Sequence, residues 1–369
     1  MAQGYPLRFA FVGAGWIART VWIPLLREMG AEVVSIVDPA PSALAESREI
    51  LPQVRTAQTL SVGALDKCDV AFICSPNAFH FQHALFALEQ GLHVVVEKPA
   101  CFRIADADSL INASLDAGRG ILVTSASSHR RDTAEMLAIT RDGTLGSPFC
   151  VDASWRRGAG IPRPGSWFTR EETAIGGCGA DLGWHLLEVA LGLLNYPLVT
   201  AALSRQVRPG LAPERVLAAW FGDASDCSDA PMDVDSQLFA CLQTASGPLV
   251  RLTTAWASHQ ATDETSIALF ASAGEMTLHS IFGFSTMGSG LHRLTLLKDG
   301  VSQELPCNED KMAPYRGFVR AMVDYLRTPE LCADPRTQSI HRQLRSLASA
   351  MAFLYPDAHI RSRIMAEAV

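Results

Sequence analysis

The chain has 369 residues, about two and a half times the ~150 that serve as a prior for one domain, so two domains are expected. With 48% apolar and 19% charged residues it reads as a packed globular chain, and a net charge of −7 argues against the clustered basic surface that nucleic-acid binding requires. Nine cysteines, odd in number and never spaced as C-x-x-C, fit reduced thiols in a cytoplasmic protein and suggest neither a disulfide framework nor a metal site.

The first third alternates short apolar runs with helical patterns. Leu7 to Val12 reads as a strand and Trp16 to Met29 as a helix. Strands follow at Val33 to Val37, Val70 to Cys74, Leu92 to Val96 and Gly120 to Thr124, with helices at Phe79 to Gln90 and Ile104 to Ala117. Arg8 followed by Phe9-Ala10-Phe11-Val12 has the look of a signal peptide, but the glycines at 13 and 15 read better as a turn after a buried strand. Continuous apolar strands separated by helices indicate a parallel sheet covered on both faces. A doubly wound α/β domain over residues 1–125 is therefore expected.

Beyond residue 145 the pattern changes. A strand near Gly146–Trp155 leads through a Pro/Gly/Arg-rich loop to a helix at about Gly179–Leu194. Strand-like runs follow at Ser236–Thr244, Leu249–Trp256, Ser266–Ala271 and Arg293–Leu297, with a hairpin-type loop at Ala245-Ser246-Gly247-Pro248. Helices return at about Tyr315–Leu326 and Ser339–Phe353. This predicts an α+β domain over residues 126–369 with a large, mostly antiparallel open sheet. The apolar region Leu186–Leu203 is broken by Glu188, Asn195 and Pro197, so no membrane span is expected there. The acidic stretch Asp223–Asp235 reads as a solvated loop entering a strand.

Gly13-Ala14-Gly15-Trp16-Ile17-Ala18 fits G-x-G-x-x-A between a strand and a helix. The first glycine permits the tight turn, the second admits a pyrophosphate to the backbone, and the small third residue lets helix and strand pack closely. Asp38 ends the second strand twenty residues beyond Ala18, where a carboxylate can accept from a ribose 2′-hydroxyl. It would repel a 2′-phosphate, and Pro39-Ala40 supplies no compensating base, so NAD is favoured over NADP.

Only four lysines occur: Lys67, Lys98, Lys298 and Lys311. Lys98 alone follows a buried strand, in Glu97-Lys98-Pro99. The neighbouring strand ends in another polar turn, Ser75-Pro76-Asn77 with His80 beyond it. Carboxyl ends of parallel strands are where such sheets bind ligands. Asp181 and His185 lie four apart on the predicted helix behind Gly176-Gly177-x-Gly179, and so share one face. By themselves they fit a capping Asp and a packed His as well as a catalytic pair.

The motifs GAGWIA (13–18), SPNAFH (75–80), EKPA (97–100), HRRD (129–132), GTLG (143–146) and GGCGADLGWHLLEVALGLL (176–194) together resemble the Gfo/Idh/MocA oxidoreductases, in that family's order and over about the first 195 residues. The resemblance implies hydride transfer between nicotinamide C4 and a secondary alcohol or ketone of a sugar, inositol or aminocyclitol-type substrate. It implies Lys98, Asp181 and His185 as catalytic residues, with His185 as general base in oxidation. Lys98 would donate to the same substrate oxygen; which of the two takes the proton stays open. The cofactor side would comprise Gly13, Gly15, Trp16, Ile17, Asp38, Ser75, Pro76, Asn77, His80, Glu97, Lys98 and Tyr315, the last opening a helix that approaches the cofactor in the family.

The substrate side would add Arg131, Trp155, Arg156, Arg163 and Trp167, from segments that border the substrate in the family. Aromatic faces suit sugar rings, and arginines suit hydroxyls or a carboxylate. Two alternatives accompany this reading. One is an NAD(P)H-dependent ketosugar reductase of antibiotic biosynthesis, acting on an aminoglycoside or deoxysugar precursor. The other is a non-catalytic NAD-binding regulator on the same fold. The open sheet face needs a cover, so a homodimer or homotetramer is expected.

Overall fold

The computed structural model describes residues 6–208, 232–285, 287–288, 290–307 and 310–358. It divides into two compact units, Met1–Ala126 with Tyr315–Leu344, and Ser127–Pro314 with Arg345–Val369.

The first unit is built on six parallel strands, β1 (Arg8–Val12), β2 (Glu32–Val37), β3 (Arg55–Ala57), β4 (Val70–Ile73), β5 (His93–Val96) and β6 (Ile121–Val123), in the order β3-β2-β1-β4-β5-β6. Helices α1 (Ile23–Glu28), α2 (Pro41–Ile50), α3 (Val62–Leu65), α4 (Asn77–Glu89) and α5 (Ile104–Ala117) form the crossovers. The central strands are apolar at nearly every position because both faces are covered: Phe9–Val12, Val70–Ile73 and Val94–Val96 are all buried. Phe11 and Phe72 stack across the β1–β4 pair at 4.9 Å between ring centroids. Strand order reverses between β1 and β4, the point at which such sheets open a crevice at their carboxyl edge. Three elements, α2, β3 and α3, escape the sequence reading.

The helix expected over Trp16–Met29 is not uniform. Ala18–Trp22 is a π-helical turn, closed by the Ile23 N–H on the Ala18 carbonyl, and α1 follows it. Pro24 has no N–H for the carbonyl four residues back, and its ring would crowd that carbonyl in a regular helix. The wider turn before it removes the conflict.

The second unit carries α6 (Arg131–Arg141), β7 (Pro148–Arg156), α7 (Glu171–Ala174), α8 (Cys178–Leu193) and β8 (Val199–Val207). Then come β9 (Gln237–Thr244), β10 (Leu249–Ala255), β11 (Glu264–Ala271), β12 (Gly274–Ser280), β13 (Arg293–Lys298) and β14 (Val301–Leu305). The sheet runs β14-β13-β12-β11-β7-β10-β9-β8 and is antiparallel except for the β7–β10 pair. Helix α8 covers one face, against which Val151, Ala153, Val250, Leu252 and Leu242 are buried. The alternate residues form a second face, on which Leu203, Phe239 and Leu249 are exposed and Arg251 pairs with Asp152 across neighbouring strands.

The remaining helices are α9 (Ala313–Leu326) and α10 (Pro335–Leu354). Residues 315–344 correct the expected division at residue 125, which gave them to the second domain. They pack within the first unit, because the apolar face of α9 finds its partners there. Phe318 and Tyr315 each lie 5.6 Å from the Trp22 ring, and a Cβ on Gly120 would fall 2.9 Å from the Tyr325 ring. Among the described residues, no helix is long and apolar enough to cross a membrane.

Candidate active site

In the first unit, the predicted nucleotide residues gather at the carboxyl edge of the parallel sheet. The two glycines of the turn after β1 serve different ends. Gly13 has a φ of +99°, and a Cβ there would lie 2.5 Å from the backbone carbon and oxygen of Cys74 at the end of β4. That glycine is required by the chain itself. Gly15 has an ordinary φ, and a Cβ there would meet nothing within 4 Å. Room beside exposed backbone at a helix start is what a pyrophosphate needs. Trp16 is exposed, Ile17 is half-buried and Ala18 is buried behind them. Asp38, one residue past β2, accepts from the Ala14 N–H at 2.8 Å and the Ala40 N–H at 2.9 Å, so its carboxylate is fixed beside the glycine turn. These residues fit a dinucleotide.

The Lys98 turn is held by its neighbour. The Glu97 carboxylate accepts from the Trp22 indole at 2.7 Å, from the Lys98 backbone N–H at 2.9 Å and from the Thr124 hydroxyl. Burial raises its pKa above the ordinary carboxylate value, with the Lys98 charge the largest opposing influence. Trp22 in turn packs on Tyr315, which brings that residue to the same edge of the sheet. The Lys98–Pro99 bond is cis. Ser75 and Asn77 are buried at the neighbouring turn.

His80 departs from its expected role. It is 1% exposed, and its ring nitrogens lie 2.7 Å from the Pro99 carbonyl and 2.6 Å from the Ser75 carbonyl. It ties the two turns together from beneath and presents no surface to a ligand.

In the second unit, α8 is buried at fourteen of its sixteen positions. The two exceptions are Asp181 and His185. Their spacing puts them one above the other on a single face. Asp181 accepts from the Trp256 indole at 2.9 Å. His185 Nδ1 lies 3.0 Å from Ser127 Oγ, and its ring lies 5.9 Å from that of Trp155.

The start of α8 explains the glycines before it. Asp235 accepts from the backbone N–H of Gly177 at 2.7 Å and of Gly179 at 2.9 Å, and from the Tyr355 hydroxyl at 3.0 Å. A Cβ on Gly177 would lie 1.9 Å from the Asp235 carbonyl oxygen, and one on Gly176 would lie 2.5 Å from the Tyr355 ring. A carboxylate serving as cap at a helix N-terminus contributes ~1–2 kcal/mol. Residues 223–231 of the acidic stretch lie outside the described residues, but Asp235 corrects the solvated-loop reading, since it is buried.

The substrate-side residues fare unevenly. Strand alternation in β7 carries Trp155 to the α8 side and Arg156 to the opposite face, so these two do not share a site. Trp155 is 6% exposed, with Phe282 edge-on at 5.8 Å; it packs beside His185 and offers no open face to a sugar. Arg131 is exposed on the first turn of α6. Arg163 and Trp167 are half-buried in the loop before α7, with Trp167 packed on Phe168. Ser127, Trp256, Asp235 and Tyr355 were not singled out from the sequence. The glycine cluster before α8 was the one signal of a close neighbour, without naming it.

The family model described as the oxidoreductase family's NAD-binding Rossmann fold matches residues 7–125, and the one described as the GFO/IDH/MocA C-terminal domain matches residues 133–277. The chain is 34% identical over 304 residues to a protein of Amycolatopsis mediterranei (strain S699) provisionally named UDP-kanosamine synthase oxidoreductase subunit, covering 81% of this chain and 82% of that one. It is 26% identical over 368 residues to the D-glucoside 3-dehydrogenase of Escherichia coli (strain K12), covering 97% of each. Among solved structures, KijD10, a 3-ketoreductase from Actinomadura kijaniata in complex with NADP and TDP-benzene, superposes with a TM-score of 0.69 at 18% identity over 94% of this chain and 96% of that one, a likeness of fold.

Proposed function

Since the chain belongs to the Gfo/Idh/MocA oxidoreductases, we propose that it oxidises a ring hydroxyl of a glucoside or nucleotide-linked hexose to the ketone, or reduces that ketone. The observation that carries the site assignment is the burial pattern of α8, which Asp181 and His185 alone interrupt, each partly buried. A histidine can take the hydroxyl proton in oxidation and return it in reduction, work that supplies ~10²–10⁴-fold in rate. Lys98 is assigned the positive charge that a forming alkoxide needs. Asp181, held by Trp256, is assigned to hydrogen-bond the substrate. Bound NAD supplies the hydride chemistry at nicotinamide C4. NAD is preferred over NADP on the strength of Asp38, whose carboxylate is fixed beside the glycine turn. The names of the relatives support a hexose, and two of them specify position 3.

We assign the second face of the antiparallel sheet to self-association as a homodimer or homotetramer, and the protein to the cytoplasm. The test of the activity is NADH absorbance with alkyl glucosides, UDP-glucose and cyclitols, with NAD and NADP in parallel. Turnover of a hexose derivative is expected, and Lys98→Ala should abolish it while NAD binding stays measurable by fluorescence titration. Normal turnover by Lys98→Ala would overturn the site assignment.

A further inference from the structure

The turn ahead of α6 reaches α8 twice. Ser127 Oγ lies 3.0 Å from His185 Nδ1, and Ser128 Oγ donates to Glu188 Oε1 at 2.6 Å. His185 and Glu188 are three residues apart, so two consecutive serines grip neighbouring positions of one helix face. The turn is itself fixed. The Thr133 hydroxyl donates to the Ser127 carbonyl at 2.5 Å, and the Ser127 side chain is buried. On its other side the imidazole is flanked by the Trp155 ring.

A neutral imidazole carries its proton on one nitrogen, and the partner of the other decides which. A serine oxygen can accept from Nδ1–H both before and after the ring is protonated. Were the serine the donor to Nδ1, the proton would sit on Nε2. Uptake of a second proton would then fall to Nδ1, the nitrogen that faces Ser127, and the hydroxyl would have to turn round from donor to acceptor. The arrangement that survives the proton transfer has Ser127 accepting.

We propose, resting on the reading of His185 as the acid–base group, that Ser127 is a positioning residue: it accepts Nδ1–H and leaves Nε2 as the nitrogen that exchanges the substrate proton. In oxidation the substrate O–H bond breaks, its electron pair stays on oxygen, and an Nε2–H bond forms. The imidazolium so produced keeps its Nδ1–H on Ser127. In reduction the same proton returns from Nε2 to the oxygen.

The test is histidine ¹⁵N NMR of the full chain at a pH where His185 is neutral, with His185→Gln assigning the resonance. Wild-type protein is expected to show one tautomer, protonated at Nδ1. Ser127→Ala is expected to show a tautomer mixture, with kcat about tenfold lower, KM nearly unchanged and a displaced acid limb in the pH profile, a fraction of the ~10²–10⁴ that a placed acid–base group supplies. Ser127→Thr should restore both the tautomer and the rate. If Ser127→Ala folds poorly, Ser127→Cys keeps the volume with a weaker acceptor and should give the same mixture. An unchanged tautomer in the Ala or Cys variant overturns the assignment of Ser127. Normal turnover by His185→Gln would instead overturn the reading of His185 on which it rests.

Discussion

Alanine at Gly13 and alanine at Gly15 should have opposite consequences, although both glycines belong to one motif. At Gly13 the backbone sits at φ +99°, where a side chain costs ~1–2 kcal/mol. The new methyl would also meet Cys74 C and O at 2.5 Å and Ser75 N at 2.6 Å, backbone atoms at the end of a central strand that cannot swing aside. Overpacking of that kind costs a further ~1–3 kcal/mol. The total, about 2–5 kcal/mol, is a large part of the ~5–15 kcal/mol that holds a domain folded. At Gly15 the methyl meets no protein atom, so stability should stay within ~0.5 kcal/mol. Loss of one charge-assisted hydrogen bond to a phosphate, ~1.5–3 kcal/mol, would weaken NAD by roughly 10- to 150-fold. Urea denaturation of the cofactor-free protein reads the first effect, and a fluorescence or calorimetric NAD titration reads the second. The reasoning fails if Gly15→Ala destabilises the cofactor-free chain as much as Gly13→Ala, or if it binds NAD like the wild type.

Two further outcomes are expected. His93 Nδ1 accepts the Gly120 N–H at 2.9 Å, and burial, aided by the Arg119 charge, lowers its pKa to about 4. Unfolded, the same ring takes a proton near 6.5, so stability is full above that pH and falls as pH drops from about 6.5 to about 4, by up to ~3 kcal/mol. Urea midpoints measured across that window should fall less steeply in His93→Gln, and an unaltered slope would count against this account. At Asp38, wild-type protein should show a kcat/KM for NAD at least ~10-fold above that for NADP, ~1.4 kcal/mol of discrimination. Asp38→Asn should narrow the ratio, whereas equal use of both cofactors by the wild type would remove the argument from the carboxylate.

What the sequence made legible was local. Gly13, Gly15 and Asp38 lie within one strand–turn–helix–strand stretch, and Asp181 and His185 are joined by a helical period. The residues that hold them come from far along the chain: Ser127 is 58 positions from His185, Trp256 is 75 from Asp181 and Tyr355 is 120 from Asp235. No period connects such pairs, and folding alone brings them together. Arg156 shows the converse error, since adjacency to Trp155 in sequence means opposite faces in a strand. Pro24 was visible, but its effect on the helix around it depends on how the turn before it rearranges.

The return of residues 315–344 to the first unit bears on the order in which the protein is made. The strands that lead into Gly13, Asp38 and Lys98 leave the ribosome early, but the helix that covers Trp22 and Gly120 is encoded after nearly the whole second unit. At ~5–20 residues per second that separation lasts roughly 10–45 s. During it the nascent parallel sheet carries bare apolar surface where Tyr315, Phe318 and Tyr325 will sit. A chain cut at residue 126 would be left permanently in that condition, so the nucleotide-binding half is not a module to be expressed alone without its distant helix.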